Sequence, residues 1–323
     1  MIELEGLGSI FLPIWLPIVA APMIYLVRRI RPLAALLAAT VMGMVGWWLV
    51  TNPPQGGVLF FGRGVAVSPV AQVLLVGLAA WLVFAFLFSW RVSKGWRPSP
   101  FLLVVYGILA AALFFEELVL RVLLLKIACL AIALLVQGGA GSNTRAATRL
   151  LILSVLALPP FLVAATLIGQ TVLQPDAPPM VEAIALALGM GFALMLAVIP
   201  FHAWLPQVAE DGPPLIAAWL VAGTGSAYLV LLFDLLAQYE WLARDVQVQR
   251  LLFGGGLLLA IGGGILLVTE RHLGRLWAYA ILADLGYILL GLSFNSRVGR
   301  TAVLLTIASR LLSLLLVGSA LAT

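Results

Sequence analysis

Gly191-Phe-Ala-Leu-Met-Leu-Ala-Val-Ile-Pro200-Phe-His202-Ala-Trp204-Leu-Pro206-Gln-Val-Ala-Glu-Asp-Gly212-Pro213-Pro214 begins inside one apolar run and ends on a proline pair that opens the next. The runs on either side, near 180–200 and 214–238, each have the roughly 20 apolar residues that a membrane-spanning helix needs. A helix cannot pass Pro200 undisturbed, because proline lacks a backbone donor and its ring clashes with the carbonyl one turn back. The stretch therefore reads as a spanning helix that breaks at depth, followed by a short polar connection.

The same pattern recurs along the whole chain. Apolar runs fall near 8–27, 32–50, 68–90, 100–115, 118–137, 148–173, 180–200, 214–238, 251–269, 276–294 and 301–322, about eleven spans with the broken one seventh. In lipid only a helix satisfies all its backbone groups within one segment, and these runs are too long and continuous for the alternating strands of a membrane barrel. The fold class is an all-α, polytopic transmembrane helix bundle, a single domain over 1–323. Of the 323 residues 63% are hydrophobic and 10% charged, where a soluble domain carries about a quarter charged. No stretch is left for a catalytic domain outside the membrane.

The formal charge of +5 does not imply nucleic acid, because the arginines lie in short loops where they set topology and meet lipid headgroups. The loops after the first, third, fifth and ninth helices hold Arg28, Arg29 and Arg31, then Arg91, Lys94 and Arg97, then Arg145 and Arg149, then Arg271 and Arg275. The positive-inside rule then places the N-terminus outside and the C-terminus in the cytoplasm of a cell (inner) membrane. Met1 to Gly6 lack the basic start of a cleavable signal, so the first helix is expected to be retained. The single cysteine, Cys129, excludes an internal disulfide, a cysteine zinc site and an iron–sulfur cluster. No catalytic triad, metal-ligand set or nucleotide motif stands out, and no cofactor is expected in this chain. The glycine runs 254–256 and 262–264 lack a phosphate-loop lysine and read as close helix packing. Leu158-Pro159-Pro160 in the sixth helix reads as an ordinary kink, and Trp204, Trp219, Trp241 and Trp277 near helix ends as interfacial anchors.

Within 191–214, Pro200, Phe201, His202, Trp204, Leu205 and Pro206 resemble the signature Pro-Phe-His-x-Trp-Leu-Pro-Asp of the antiporter-like membrane subunits of complex I and of Mrp-type cation/proton antiporters. Gln207 replaces the acidic residue and Pro213 keeps the first proline of the later Ala-Pro-Thr-Pro. Arg271-His-Leu-Gly-Arg-Leu-Trp-Ala-Tyr-Ala-Ile-Leu-Ala-Asp-Leu-Gly-Tyr-Ile-Leu-Leu-Gly291 is similar to a second family stretch, and Arg145 to Ile168 more weakly to its sixth helix. The family has about fourteen helices with two inverted five-helix units. The resemblance implies a first unit over about 100–238 and a partial second over 251–323.

The family is thought to pass protons through ionisable groups at mid-membrane, where burial makes a charge costly and its proton labile. Carried over by resemblance, the lysine at the seventh-helix break falls on Met195 and the eighth-helix group on Thr224 to Ser226, none of which holds a proton. The fifth-helix glutamate falls near Lys126, a reversal of charge. Lys94 and Lys126 are the only lysines, so no shift of register restores the pair. Remaining candidates for an ion or proton path are Lys126, His202, Glu117, Asp284 and Arg310. Each has a plainer alternative. Glu117 can pair with Arg121 at i,i+4, Lys126 with another helix or subunit, Asp284 with Arg310, and His202 can serve a helix end by hydrogen bonding.

Two classes of function follow from the resemblance. One is a membrane subunit of a multi-subunit complex I-like or Mrp-like translocase, either conducting through those residues or acting as a non-conducting spacer beside antiporter-like homologues. The other is a secondary cation/proton or inorganic-carbon-linked transporter working with one soluble partner.

Overall fold

Long apolar runs with few breakers fold as helices because the backbone has no other partner in lipid. The computed structural model describes residues 4–52, 57–60, 62–89, 99–137, 144–173 and 180–322; Arg91, Lys94 and Arg97 lie outside them. Helices α1 (Leu4–Val27) and α2 (Arg31–Thr51) are followed by a small antiparallel hairpin, β1 (Val58–Phe60) and β2 (Arg63–Val65), in which Val58 faces Val65 and Phe60 faces Arg63. Gly62 turns it with φ +76°, a conformation other residues rarely adopt. Then come α3 (Pro69–Ser89), α4 (Ser99–Phe114), α5 (Leu118–Gln137), α6 (Thr144–Leu156) and α7 (Leu158–Leu173). Pro159 and Pro160 sit in the first turn of α7, where a missing N–H costs nothing. The expected sixth span is therefore two helices joined at Ala157.

The rest of the chain runs α8 (Val181–Met195), a 3-10 turn over Phe201–Ala203, α9 (Trp204–Asp211), α10 (Pro214–Trp219), a π-helical turn over Leu220–Gly225, α11 (Ser226–Gln238), α12 (Glu240–Arg244), α13 (Val246–Thr269), α14 (Leu273–Ser293) and α15 (Arg297–Ala322). Eight helices among the described residues are long and apolar enough to cross a membrane, with three shorter apolar ones at Phe11–Val27, Ser99–Phe114 and Val181–Met195. Each expected run falls on one of these. The protein is an all-α, multi-pass membrane bundle.

The chain divides into two compact units. The first comprises 1–142, 213–227 and 308–323, and the second 143–212 and 228–307. In the first, α2 packs on α1 and α3, α1 on α4, α4 on α5, and α5 on α10 and the π-turn. Its core holds Leu75, Leu82, Leu103, Tyr106 and Trp219, and the Tyr106 hydroxyl donates to the Leu75 carbonyl at 3.1 Å. In the second unit α7 packs on α8, and α13 lies along α14 at backbone distance. A Cβ on Gly256 would sit 2.8 Å from the Leu290 nitrogen, and one on Gly263 2.8 Å from the Ala283 nitrogen. Small residues allow this approach, and in lipid such packing is a main source of helix association. Gly254 and Gly264 face open space, so only part of each glycine run does this work.

Candidate functional site

The helix break is built from side chains on both sides of Pro200. Helix α8 ends at Met195, and Ala197 then enters the left-handed region with φ +54°, a conformation costing roughly 1–2 kcal/mol for a residue with a Cβ. The Ile199–Pro200 peptide is cis. The chain resumes as the 3-10 turn, and Trp204, the first residue of α9, donates its indole N–H to the Leu194 carbonyl at 3.2 Å. Pro206 lies in the first turn of α9, where no donor is needed. The expected discontinuous helix is thus present, with the motif residues holding its ends.

His202 is half-buried, and its Nδ1 has no hydrogen-bond partner among the described residues. Its ring lies 6.4 Å from that of Tyr279 on α14. Also on α14, Arg275 Nε binds Glu210 Oε2 of α9 at 2.5 Å, with Glu270 Oε2 4.0 Å from Nη1. Glu270 also accepts the Arg271 and His272 N–H groups at 3.0 and 3.3 Å. Those backbone donors, His272 first, hold its carboxyl below the usual carboxylate range, with help from Arg275. A Cβ on Gly274 would meet the Ala209 carbonyl at 2.6 Å, so the end of α9 rests against the start of α14. No local spacing announces the Arg275–Glu210 pair, whose partners are 65 residues apart.

The positions that the resemblance places opposite the family's relay groups are deeply buried. Met195 is 5% exposed, Thr224 2% and Ser226 0%. Thr224 lies in the π-turn and donates to the Leu220 carbonyl at 2.5 Å, an i−4 bond that occupies its hydroxyl locally. Ser226 Oγ and Trp219 Nε1 have no partner among the described residues. Trp219 is wholly buried against Trp81, ring centroids 5.3 Å apart, and Trp204 and Trp277 are buried too. These three are core residues rather than interfacial anchors: each lies where neighbouring helices cover it, which position along a helix does not disclose.

Lys126 lies on α5 with its ammonium nitrogen shielded from solvent, and Arg121, one turn earlier, is also buried. Glu117 forms an ion pair with Arg63 of β2, so the hairpin, absent from the sequence reading, supplies a partner for it. Asp284 is half-buried on α14 and Arg310 buried on α15, and they fall in different units. Lys126, Glu117, Thr224, Ser226 and Arg310 belong to the first unit, and Met195, His202 and Asp284 to the second.

The family model described as NADH:quinone oxidoreductase/Mrp antiporter, TM, matches residues 115–323. NADH-quinone oxidoreductase subunit N 1 of Solidesulfovibrio magneticus is 28% identical over 299 residues, covering 87% of this chain and 62% of that protein. The chain thus spans less than two thirds of that relative's length. By fold it is similar to a chain of the Mrp complex from Dietzia sp. (TM-score 0.82, 18% identity, 99% of this chain and 37% of that one). It is likewise similar to a chain of respiratory complex I from Thermus thermophilus (TM-score 0.78, 20% identity, 97% of this chain and 71% of that one). With the broken helix, its proline motif and a family match over more than half its length, the chain belongs to the NADH:quinone oxidoreductase/Mrp antiporter family.

Proposed function

We propose that this chain is a membrane subunit of a multi-subunit, complex I-like or Mrp-like ion-translocating assembly in the bacterial inner membrane. In it the chain acts as a spacer that anchors neighbouring antiporter-like subunits, with its own proton relay dismantled. The carrying observation is that Met195, Thr224 and Ser226, at the relay positions, are sealed in the protein without an ionisable group. A relay needs titratable groups at matched depth, because a proton in low dielectric must have a base to receive it. The loop arginines support an N-terminus outside and a C-terminus in the cytoplasm.

The test is proton uptake by vesicles holding the intact complex, comparing wild type with Lys126→Ala and His202→Ala. The spacer role predicts unchanged uptake with normal assembly. Loss of uptake in either variant, with the complex assembled, would overturn it in favour of conduction.

A further inference from the structure

Helix α13 presents its glycines to three different surroundings. Positions seven apart on an α-helix return to one face within about 20°, and successive positions lie about 100° apart. Gly256 and Gly263 meet the backbone of α14, whereas Gly254 and Gly264 meet nothing within 4 Å. The middle pair, Gly255 and Gly262, is rotated by one residue from the first and meets the break that follows α8. A Cβ on Gly255 would lie 3.8 Å from Val198 Cγ1, an ordinary contact. One on Gly262 would overlap Ile199 Cδ1 and lie 3.9 Å from Ile199 Cγ1. The terminal methyl of Ile199 therefore fills the space that a side chain at position 262 would need. Val198 and Ile199 are consecutive, and together they reach across the two turns of α13, about 10.5 Å, that separate the glycines.

The residues around these two are held by short-range bonds. The Leu196 N–H donates to the Phe192 carbonyl at 2.7 Å, that of Val198 to Ala193 at 2.8 Å, and that of Phe201 to Val198 at 2.7 Å. All three are local, so none of them fixes the break against a neighbouring helix. Ala197, between them, is kept at φ +54°, a conformation that persists in an alanine only where its surroundings enforce it. From these observations we infer that Gly255 and Gly262 form a catch for the interrupted helix. Ile199 seats in the notch at Gly262 and Val198 rests on Gly255, which holds the turn over 196–201 in its hydrogen-bonded arrangement. Release of Ile199 removes that anchor, and the strained turn opens more readily. The catch belongs to the break itself, whether or not the chain conducts ions.

The test is hydrogen exchange on the full chain in mild detergent, read over residues 196–204, where exchange follows the local opening equilibrium. Ile199→Val removes the methyl that sits in the notch and should speed exchange about fourfold, the weight of one buried methylene. Gly262→Ala fills the notch and displaces the flexible end of Ile199, with a similar gain of about fourfold. Combining the two puts the alanine methyl where Cδ1 was, 3.9 Å from the Cγ1 that remains. The double variant should therefore exchange within about twofold of wild type, whereas independent effects would multiply to about sixteenfold. Gly264→Ala, with nothing within 4 Å of its Cβ, should match wild type, and exchange over α14 should stay at the wild-type rate in every variant. Three results overturn the catch: a double variant that exchanges at the product of the single ones, wild-type exchange in Ile199→Val, or a rise over α14 in step with 196–204.

Discussion

Gly286 lies where α13 and α14 cross at backbone distance, and replacing it with alanine is the sharpest test of how the two helices are held. The added Cβ would clash with the Ala260 nitrogen and lie 2.7 Å from the Gly256 oxygen and 2.9 Å from Ala260 Cα. Non-bonded atoms are comfortable at about 3.5 Å or more, so the shortfall is at least about 0.6 Å. All three atoms are backbone, and no side chain can swing away. The helices must part, loosening the matching contacts at Gly256 and Gly263. Forced overpacking of this kind costs about 1–3 kcal/mol, and with an immovable neighbour the upper end, about 3 kcal/mol, is expected. That is roughly a hundredfold shift in the folded-to-unfolded ratio. Gly254→Ala and Gly264→Ala are the controls, with nothing within 4 Å of the new Cβ; they should be neutral or gain up to about 1 kcal/mol from helix propensity. Unfolding is followed by denaturant titration in mild detergent micelles. If Gly286→Ala unfolds together with the two controls, the helix pair is not held by backbone contact and the reasoning fails.

Met195→Lys would place an ammonium at a site 5% exposed, at a cost of about 2.5–3.5 kcal/mol for insertion at helix-centre depth; folded yield should fall, and easy tolerance would reveal a water path. Trp204→Phe puts a smaller phenyl ring in place of the indole and removes the donor to the Leu194 carbonyl, so thermal unfolding should show a loss of at least about 1 kcal/mol, whereas no loss would mean that the bond contributes nothing. Glu270 has a lower pKa folded than unfolded, so its contribution is present above the unfolded carboxylate range, near 4.3, and is lost as pH falls through the folded value. Hydrogen exchange at the start of α14 should therefore rise in wild type as pH drops from about 5 to 3, after correction for intrinsic rates, and Glu270→Gln should remove that dependence.

Hydropathy made the spans legible, because lipid leaves a long apolar run only one way to satisfy its backbone. The fifth run, 118–137, coincides with α5. Pro200 marked the break, since proline acts locally. What stayed hidden depends on long-range neighbours or on small local geometry. The hairpin strands have three residues each, too few to display an alternating pattern. The π-turn at Leu220–Gly225 inserts slack into a run that reads as ordinary helix. Arg275 meets Glu210, and Arg63 meets Glu117, only after distant segments are packed together. Glycine composition suggested packing, but which glycine of each triplet faces the neighbour depends on helix rotation, and only Gly256 and Gly263 meet α14 backbone.

A discontinuous helix ordinarily offers bare carbonyls that a passing cation can borrow in place of water. Here three carbonyls near the end of α8 already accept hydrogen bonds: that of Phe192 from the Leu196 N–H at 2.7 Å, that of Ala193 from Val198 at 2.8 Å, and that of Leu194 from the Trp204 indole. An ion arriving from the membrane interior would have to compete with two backbone amides and a buried ring for those three oxygens. The interruption in α8 is thus partly tied up by the chain's own fabric, and the Trp204 indole is one of the ties.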